Sequence, residues 1–388
     1  MKFWKVEKGA GFNVTYYLCG YPIYKEIDKL NLRERIFCSG LISSKKVTDH
    51  YKGLRLKDCF ILGQRILQYG SYDYIFIFKL LGLTLYSKEV SMLFYNRYKS
   101  KIPPETDYLC FLATGIGEFS LFLSLCLKNF MKQNNIKHPL FVTKAKHNIA
   151  LLNIFFPTAK ILYIQGFPFQ RMGEFNVNNI RARYFFPIPY FQQVEEDITN
   201  KKAHFFDSIL NYLNLEPNNF DVNLPKITEE YKHSAEEKLK SMGLLDKKFI
   251  FIAPEANSCE NVNKKFWGKL TKKLHDKGFE IFFNSAKMPL SAKYFIADFS
   301  LQEVFIVAQK AQAVIGLRSG LLDLLSMTGV PIHAIYTAFK NRKDFPPMSK
   351  ENVKIGFDLE KLPAEIKKSK IYSYFYRDNL ADDILGKI

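Results

Sequence analysis

Closely spaced cysteine pairs are missing from this chain of 388 residues. Its six cysteines (Cys19, Cys38, Cys59, Cys110, Cys126 and Cys259) are scattered, several of them in apolar runs. That excludes a disulfide framework and a zinc ribbon, and points to reduced core thiols in a cytoplasmic protein. The seven histidines do not cluster and no Asp-x-Asp pair occurs, so no metal-ligand spacing stands out. No apolar segment follows the lysines of MKFWKVEKGAGF, so a secretory signal is not expected. Low-complexity segments and repeats of fixed period are also lacking.

Long apolar runs are nearly absent. The one candidate for a membrane span, YLCFLATGIGEFSLFLSLCL at residues 108–127, is broken by Gly-Ile-Gly and carries Glu118. A carboxylate at mid-membrane costs about 2.5–3.5 kcal/mol. A buried strand, a glycine turn and a buried helix account better for the same residues.

Acidic residues are scarce: 38 Asp and Glu face 56 Lys and Arg, for a net charge of +18. Such a balance favours an anionic partner, whether nucleic acid, acidic lipid or a phosphorylated substrate. The lysines are spread along the whole chain and no DNA- or RNA-binding motif appears, so nucleic acid is the weakest of the three.

The length suits two domains, with a boundary near residue 225. Residues 1–225 form the N-terminal domain, of which 1–100 are a basic extension, and 226–388 form the C-terminal one. In the extension, PIYKEIDKLNLRERIF and SKEVSMLFYNRYKSK have the pattern of short amphipathic basic helices. Either these are solvated helices on a core, or they rest on anionic lipid. From Asp107 the pattern alternates: strands YLCFLA, PLFVTKA and KILYIQG separated by helices, then no clear assignment over 166–225. A second run begins near Ile227, with strands KKFIFIAPEA, FEIFFNSA, AVIGL and PIHAIYT between helices, and SYFYRDNLADDILGKI as a final helix. This order implies α/β domains with parallel sheets.

In such folds ligands sit beyond the carboxyl ends of the strands, so the strand-to-helix turns are the places to inspect. Three stand out. The first, Ala113-Thr114-Gly115-Ile116-Gly117-Glu118, uses Gly115 and Gly117 to turn tightly and delivers Glu118 to a helix start. There Glu118 either complements the dipole or serves as a general base. The second joins Ser258 to Asn263-Lys264-Lys265-Phe266-Trp267. Lys264 and Lys265 are either solvated or phosphate ligands. The third is Arg318-Ser319-Gly320-Leu321, a helix start whose N–H groups can hold an anion, with Arg318 as a fork for phosphate and Asp323 as acceptor for a sugar hydroxyl. An ordinary serine cap with a surface arginine explains the same residues.

Taken in order, these turns resemble the heptosyltransferase-like, lipopolysaccharide-core group of GT-B glycosyltransferases (family nine), in divergent form. The matching pieces are Gly117-Glu118, Ser258, Lys265-Phe266-Trp267, Ser300-Leu301-Gln302-Glu303, the stretch from Arg318 to Asp323, and Gly329-Val330-Pro331. They cover residues 108–165 and 247–340. Two positions depart: Arg318 stands for the family's Asp, and Asp323 for its His. The resemblance implies a GT-B fold of two Rossmann-like domains with parallel sheets facing across a cleft. It implies inverting, metal-independent sugar transfer from a nucleotide-sugar, with no cofactor. The acceptor would be an anionic, lipid-linked glycolipid or a polysaccharide, in lipopolysaccharide, lipooligosaccharide or capsule synthesis. Glu118 would be the base, and Ser258, Lys264, Lys265, Arg318, Ser319, Gly320, Leu321 and Asp323 would hold the donor. Such an enzyme would be cytoplasmic, in peripheral contact with the anionic inner face of the inner membrane. Transfer of a non-sugar group to capsule stays open beside it, as does a basic nucleic-acid-binding protein.

Overall fold

The computed structural model of the chain describes all residues except 1–3, 9–13, 19–20, 30–31, 38–41, 50–53, 63, 73–74, 82, 113–115, 166–174, 178, 186–187, 217–219, 286–298, 341–346 and 378. It divides into two compact units that interleave along the sequence. One holds Met1–Phe111 and Ile164–Pro189, the other Leu112–Tyr163 and Tyr190–Ile388.

The first unit opens on an antiparallel meander of nine strands, β1 (Trp4–Lys8), β2 (Val14–Leu18), β3 (Tyr21–Lys29), β4 (Leu32–Phe37), β5 (Ile42–Asp49), β6 (Leu54–Ile61), β7 (Gln64–Tyr72), β8 (Ile75–Leu80) and β9 (Leu83–Glu89), each paired with the next. This corrects the helix expected over 22–37, which is instead the β3–β4 hairpin, with Tyr24 opposite Phe37 and Lys29 opposite Leu32. The basic residues there do not select a helix. Each strand gains a hydrogen-bond ladder on both edges, a non-local choice that overrides local periodicity. The second expected helix begins only at α1 (Val90–Tyr98), because its first residues belong to β9. Phe94 of α1 is fully buried, edge-on against Phe111 at 4.8 Å between ring centroids. Phe111 lies in β10 (Tyr108–Leu112), which is buried throughout.

In the second unit a single helical run follows, α2 (Ile116–Leu121), a π-helical turn Phe122–Cys126 and α3 (Leu127–Gln133). The π turn is wholly buried, which places Cys126 and three large apolar side chains inside. The strand, turn and helix reading of residues 108–127 therefore holds for the described part. No helix among the described residues is long and apolar enough to cross a membrane. Next come β11 (Pro139–Thr143), α4 (Lys146–Phe155) and β12 (Lys160–Tyr163), with β12 parallel to β11. Within the stretch left unassigned from sequence, β13 (Phe175–Val177) and β14 (Ile180–Phe185) form an antiparallel pair of the first unit. After it come α5 (Ile188–Lys201) and α6 (Phe205–Leu213).

The rest of the second unit carries a five-stranded parallel sheet. Its elements are α7 (Glu229–Ser241), β15 (Phe249–Ala253), α8 (Lys264–Asp276), β16 (Glu280–Phe283), α9 (Leu301–Lys310), β17 (Ala313–Leu317), α10 (Gly320–Leu325), β18 (Ile332–Tyr336), α11 (Lys350–Phe357), β19 (Ile371–Phe375) and α12 (Leu380–Leu385). The strand order is β16-β15-β17-β18-β19, every pair parallel. Three of these strands, β15, β17 and β18, are buried at all five positions, as strands covered on both faces must be. The α/β expectation is met. The tail departs from it: the residues before Arg377 form β19, which completes the sheet, and only α12 is helical.

Candidate functional site

Strand order locates the site. In β16-β15-β17-β18-β19 the chain grows to one side of β15 and then returns to grow on the other. Such a reversal leaves a crevice beyond the carboxyl ends of the two strands that flank it. Here those strands are β15 and β17, and the turns leaving them are residues 254–258 and 318–320. Gly316 keeps the two close. A side chain there would meet the Ala253 Cβ and carbonyl at 3.0 Å and Leu322 at 3.2 Å.

Arg318 is the first residue past β17, and it does not face outward. It is 4 % exposed and Asp323 is 1 % exposed. Its guanidinium grips Asp323 through two bonds, Nη2 to Oδ1 at 2.7 Å and Nη1 to Oδ2 at 3.0 Å. Nε donates to the Phe357 carbonyl at 2.6 Å and Nη1 also to the Ser319 carbonyl at 2.7 Å. The donor-holding roles expected of these two residues are corrected by this geometry: the fork that was to hold phosphate and the carboxylate that was to accept from a sugar hold each other. The two departures from the family pattern are thus one compensated feature. Burial of an unpaired charge is costly, so the two positions depend on each other. Burial opposes the charge on Arg318, but Asp323, then Tyr336 and Cys259, raise its pKa above the usual value.

Around the pair lies a shell that sequence reasoning missed. His204 caps α6, accepting from the Phe206 N–H, and is 6 % exposed. Burial first, then the positive field of Arg318, pushes its pKa down to about 3, so it is neutral. The Cys259 thiol donates to the Arg318 carbonyl at 3.2 Å, and its pKa is pushed up to about 11, mainly by burial. The Tyr336 hydroxyl accepts from the Leu359 N–H at 3.0 Å. No motif spacing marks these residues. They meet only because α6, α11 and β18 converge on the end of β17.

The start of α10 abuts the start of α2. A Cβ on Gly117 would stand 2.2 Å from Asp323 Oδ2 and 2.9 Å from Gly320 Cα, so only glycine fits. Gly117 therefore lies against Gly320 and Asp323 at the start of α10. Glu118 follows directly on α2, but its side chain, like Gly115, lies outside the described residues. Ser319, Gly320 and Leu321 are half-buried, and the Ser319 hydroxyl is buried with no hydrogen-bond partner. Ser258 is half-buried in the other turn, where its carbonyl accepts from the Lys340 N–H. Asn263 caps α8 through the Lys265 N–H at 2.9 Å, leaving Lys264 and Lys265 exposed above the fully buried Trp267. Two quoted motifs have structural roles. Ser300 and Glu303 form a reciprocal capping box on α9, and Glu303 also binds Ser234 and Lys238 of α7. Gly329 takes a φ of 87°, a left-handed turn into β18 that favours glycine.

Residues 194–374 match the family described as glycosyltransferase family 9 (heptosyltransferase). No curated protein matches the chain. Among solved structures, it is similar to a family 9 glycosyl transferase from Veillonella parvula DSM 2008 (12% identity, 73% of this chain and 91% of that one, TM-score 0.46). It is similar also to the ADP-heptose lps heptosyltransferase II of E. coli (12%, 72% and 98%, TM-score 0.47). A further similar structure is the iron-containing dodecameric glycosyltransferase TibC from enterotoxigenic E. coli H10407 (12%, 70% and 68%, TM-score 0.42). The iron of TibC corrects the expectation that no metal is needed, because metal independence does not extend to every protein of this kind. Among the described residues no group of three His, Cys, Asp or Glu is placed to hold a metal ion. Through residues 194–374, then, the chain is similar to the glycosyltransferase family 9 (heptosyltransferase) enzymes.

Proposed function

We propose that the protein transfers a sugar, with inversion, from a nucleotide-sugar to an anionic lipid-linked or polysaccharide acceptor of the bacterial surface. The observation that carries this reading is the reversal point of a parallel sheet lying inside the family 9 segment. The turns 254–258 and 318–320 leave that point, with the backbone of residues 319–321 half-buried. The diphosphate of the donor lies against the 319–321 amides, with Lys264 and Lys265 as point charges toward it. Arg318 acts at one remove, holding Asp323 and the turn in place. Glu118, one residue past the Gly117 contact, takes the proton of the acceptor hydroxyl as its oxygen attacks the anomeric carbon. The bond from that carbon to the diphosphate oxygen breaks, and the nucleoside diphosphate leaves with the electron pair. Donors fixed toward that developing charge contribute about 3–4 kcal/mol each where they have been removed in other enzymes. Lipopolysaccharide synthesis is the setting the family suggests, on the cytoplasmic side of the membrane.

The test is a thermal-shift series with ADP, GDP, UDP and CDP on the full chain. At least one raises the melting temperature, and a Lys264→Ala, Lys265→Ala double variant shrinks that shift. No response to any of the four overturns the donor site.

A further inference from the structure

Lys340 is a half-buried cation joined to two neutral partners beside the reversal point of the sheet. Its Nζ donates to the Ala256 carbonyl at 3.0 Å and to Asn261 Oδ1 at 3.4 Å. Ala256 lies within the turn that leaves β15, and Asn261 just beyond that turn. An ammonium carries three N–H donors, so one is left over. Among the described residues no carboxylate pairs with Lys340, although Glu255 and Glu260 belong to the same stretch.

The backbone explains how the ammonium comes to be there. After β18 the chain runs back along the turn from β15 as a short antiparallel ladder. The Lys340 N–H donates to the Ser258 carbonyl and the Glu260 N–H to the Ala338 carbonyl, both at 2.8 Å, with Cys259 bridged to Phe339. The Thr337 hydroxyl adds a bond to the Glu260 carbonyl at 2.8 Å. Phe339 secures the strap on its other side: its N–H donates to the Met348 carbonyl, and its ring meets Phe357 at 5.1 Å between centroids. The Phe357 carbonyl in turn accepts from Arg318. The strap thus ties together the turns leaving β15, β17 and β18, three neighbouring strands of the sheet.

Charge indicates what this arrangement holds. At the same point the positive charge of Arg318 is matched by the carboxylate of Asp323. Lys340 has no such match. The Cys259 thiol, which donates to the Arg318 carbonyl, feels the positive fields of both Arg318 and Lys340, so the ammonium and the 318–320 turn share one neighbourhood. A charge drawn partly out of water and left with neutral acceptors is costly, and an anionic ligand removes that cost. Lys264 and Lys265 differ, because both are exposed and keep their hydration without a ligand.

We infer that Lys340 is a ligand of the donor's diphosphate, supplying the uncompensated positive charge that Arg318, locked to Asp323, does not. The inference deepens the donor reading above and rests on it for the nucleotide, not for the anion. A fixed ammonium favours the diphosphate most as it leaves, because negative charge develops on the oxygen that is released.

The test is calorimetric titration of the full chain with inorganic pyrophosphate, orthophosphate, ADP, GDP, UDP and CDP. Pyrophosphate binds, and more tightly than orthophosphate. Lys340→Gln keeps an N–H for the Ala256 carbonyl but no charge, and lowers pyrophosphate affinity about tenfold or more with an unchanged urea midpoint. Lys340→Arg restores most of that affinity. Lys272→Gln, on the exposed face of α8, removes the same charge and stays within about twofold of the parent. A glutamine variant at 340 that binds pyrophosphate like the parent overturns the inference, as does a parent that ignores pyrophosphate. Equal losses in the glutamine and arginine variants, with lowered urea midpoints, make Lys340 a support of the strap alone and overturn it too. Nucleoside diphosphate binding at parental affinity in Lys340→Gln rejects the inference and keeps the donor reading. Pyrophosphate binding that depends on Lys340, with no response to any nucleotide, keeps the inference and rejects the nucleotide.

Discussion

The Arg318 guanidinium and the Asp323 carboxylate meet through two hydrogen bonds of 2.7 and 3.0 Å, five residues apart and both buried. Neither group has water to fall back on, so removing one strands the other. Arg318→Ala and Asp323→Ala are each expected to cost about 3–5 kcal/mol. A double change to apolar residues of similar volume, Arg318→Met with Asp323→Leu, costs well below the sum of the two single losses. Urea denaturation of all variants gives the coupling directly. Additive losses would show that the pair is not a unit.

The contact of Gly117 with α10 leads to a second expectation. A methyl group at Gly117 collides with Asp323 Oδ2 and with the backbone of Gly320, neither of which can swing away. Gly117→Ala therefore costs about 1–3 kcal/mol and weakens nucleotide binding by displacing the 319–321 turn. Gly268 in α8 is the control, since nothing lies within 4 Å of its missing Cβ. Gly268→Ala stabilises by about 0.5–1 kcal/mol through helix propensity alone. The two midpoints move in opposite directions in one denaturation experiment.

What could be read in advance follows from the range of each interaction. The strands of the second unit were legible because β15, β17 and β18 are buried on both faces and appear as unbroken apolar runs such as FIFIA and AVIGL. The capping box of Ser300 and Glu303 is local and shows in four letters. The meander was missed because a strand such as β4, with Arg33 and Arg35 exposed, is held by neighbours on both edges more than by its own composition. At the site, the strand-to-helix turns were anticipated, but neither the contact of Gly117 with α10 nor the partnership of Arg318 with Asp323 was. Five residues of separation suggested an arginine at the surface and a ligand for sugar. Only the burial of both, with Phe357 and His204 closing over them, turns an apparent ligand set into internal support. The shell of His204, Cys259 and Tyr336 comes from three distant segments and leaves no local trace.

His204 makes the fold sensitive to acid. In the unfolded chain its ring takes a proton near its ordinary pKa of 6.5, whereas in the fold burial and Arg318 hold that back to about 3. Between those values the unfolded state carries one more proton, so stability is full above 6.5 and falls as the pH drops toward 3. His333, pushed down to about 4 by burial, adds a loss of the same sign over a narrower window. Each contributes at most about 1.4 kcal/mol per pH unit crossed. His204→Asn keeps a capping acceptor on α6 and removes the titrating group, so its urea midpoint declines less steeply than the parent's from neutral pH into acid. Parallel decline in parent and variant would remove His204 from the acid response.

The role of base proposed for Glu118 is tested by rate and nucleotide binding measured side by side. Glu118 sits in the first turn of α2, one position past the glycine that abuts Gly320. Glu118→Gln keeps the shape and hydrogen-bonding reach of the side chain but cannot accept the acceptor's proton. Transfer to an anionic glycolipid is expected to fall by about 10²-fold or more, with the thermal shift by the preferred nucleoside diphosphate unchanged. Glu118→Asp retains part of the activity, since a shorter carboxylate still accepts a proton at poorer geometry. A loss shared equally by rate and nucleotide binding would make Glu118 a donor-site residue. Full turnover in the glutamine variant would place the base elsewhere in the second unit.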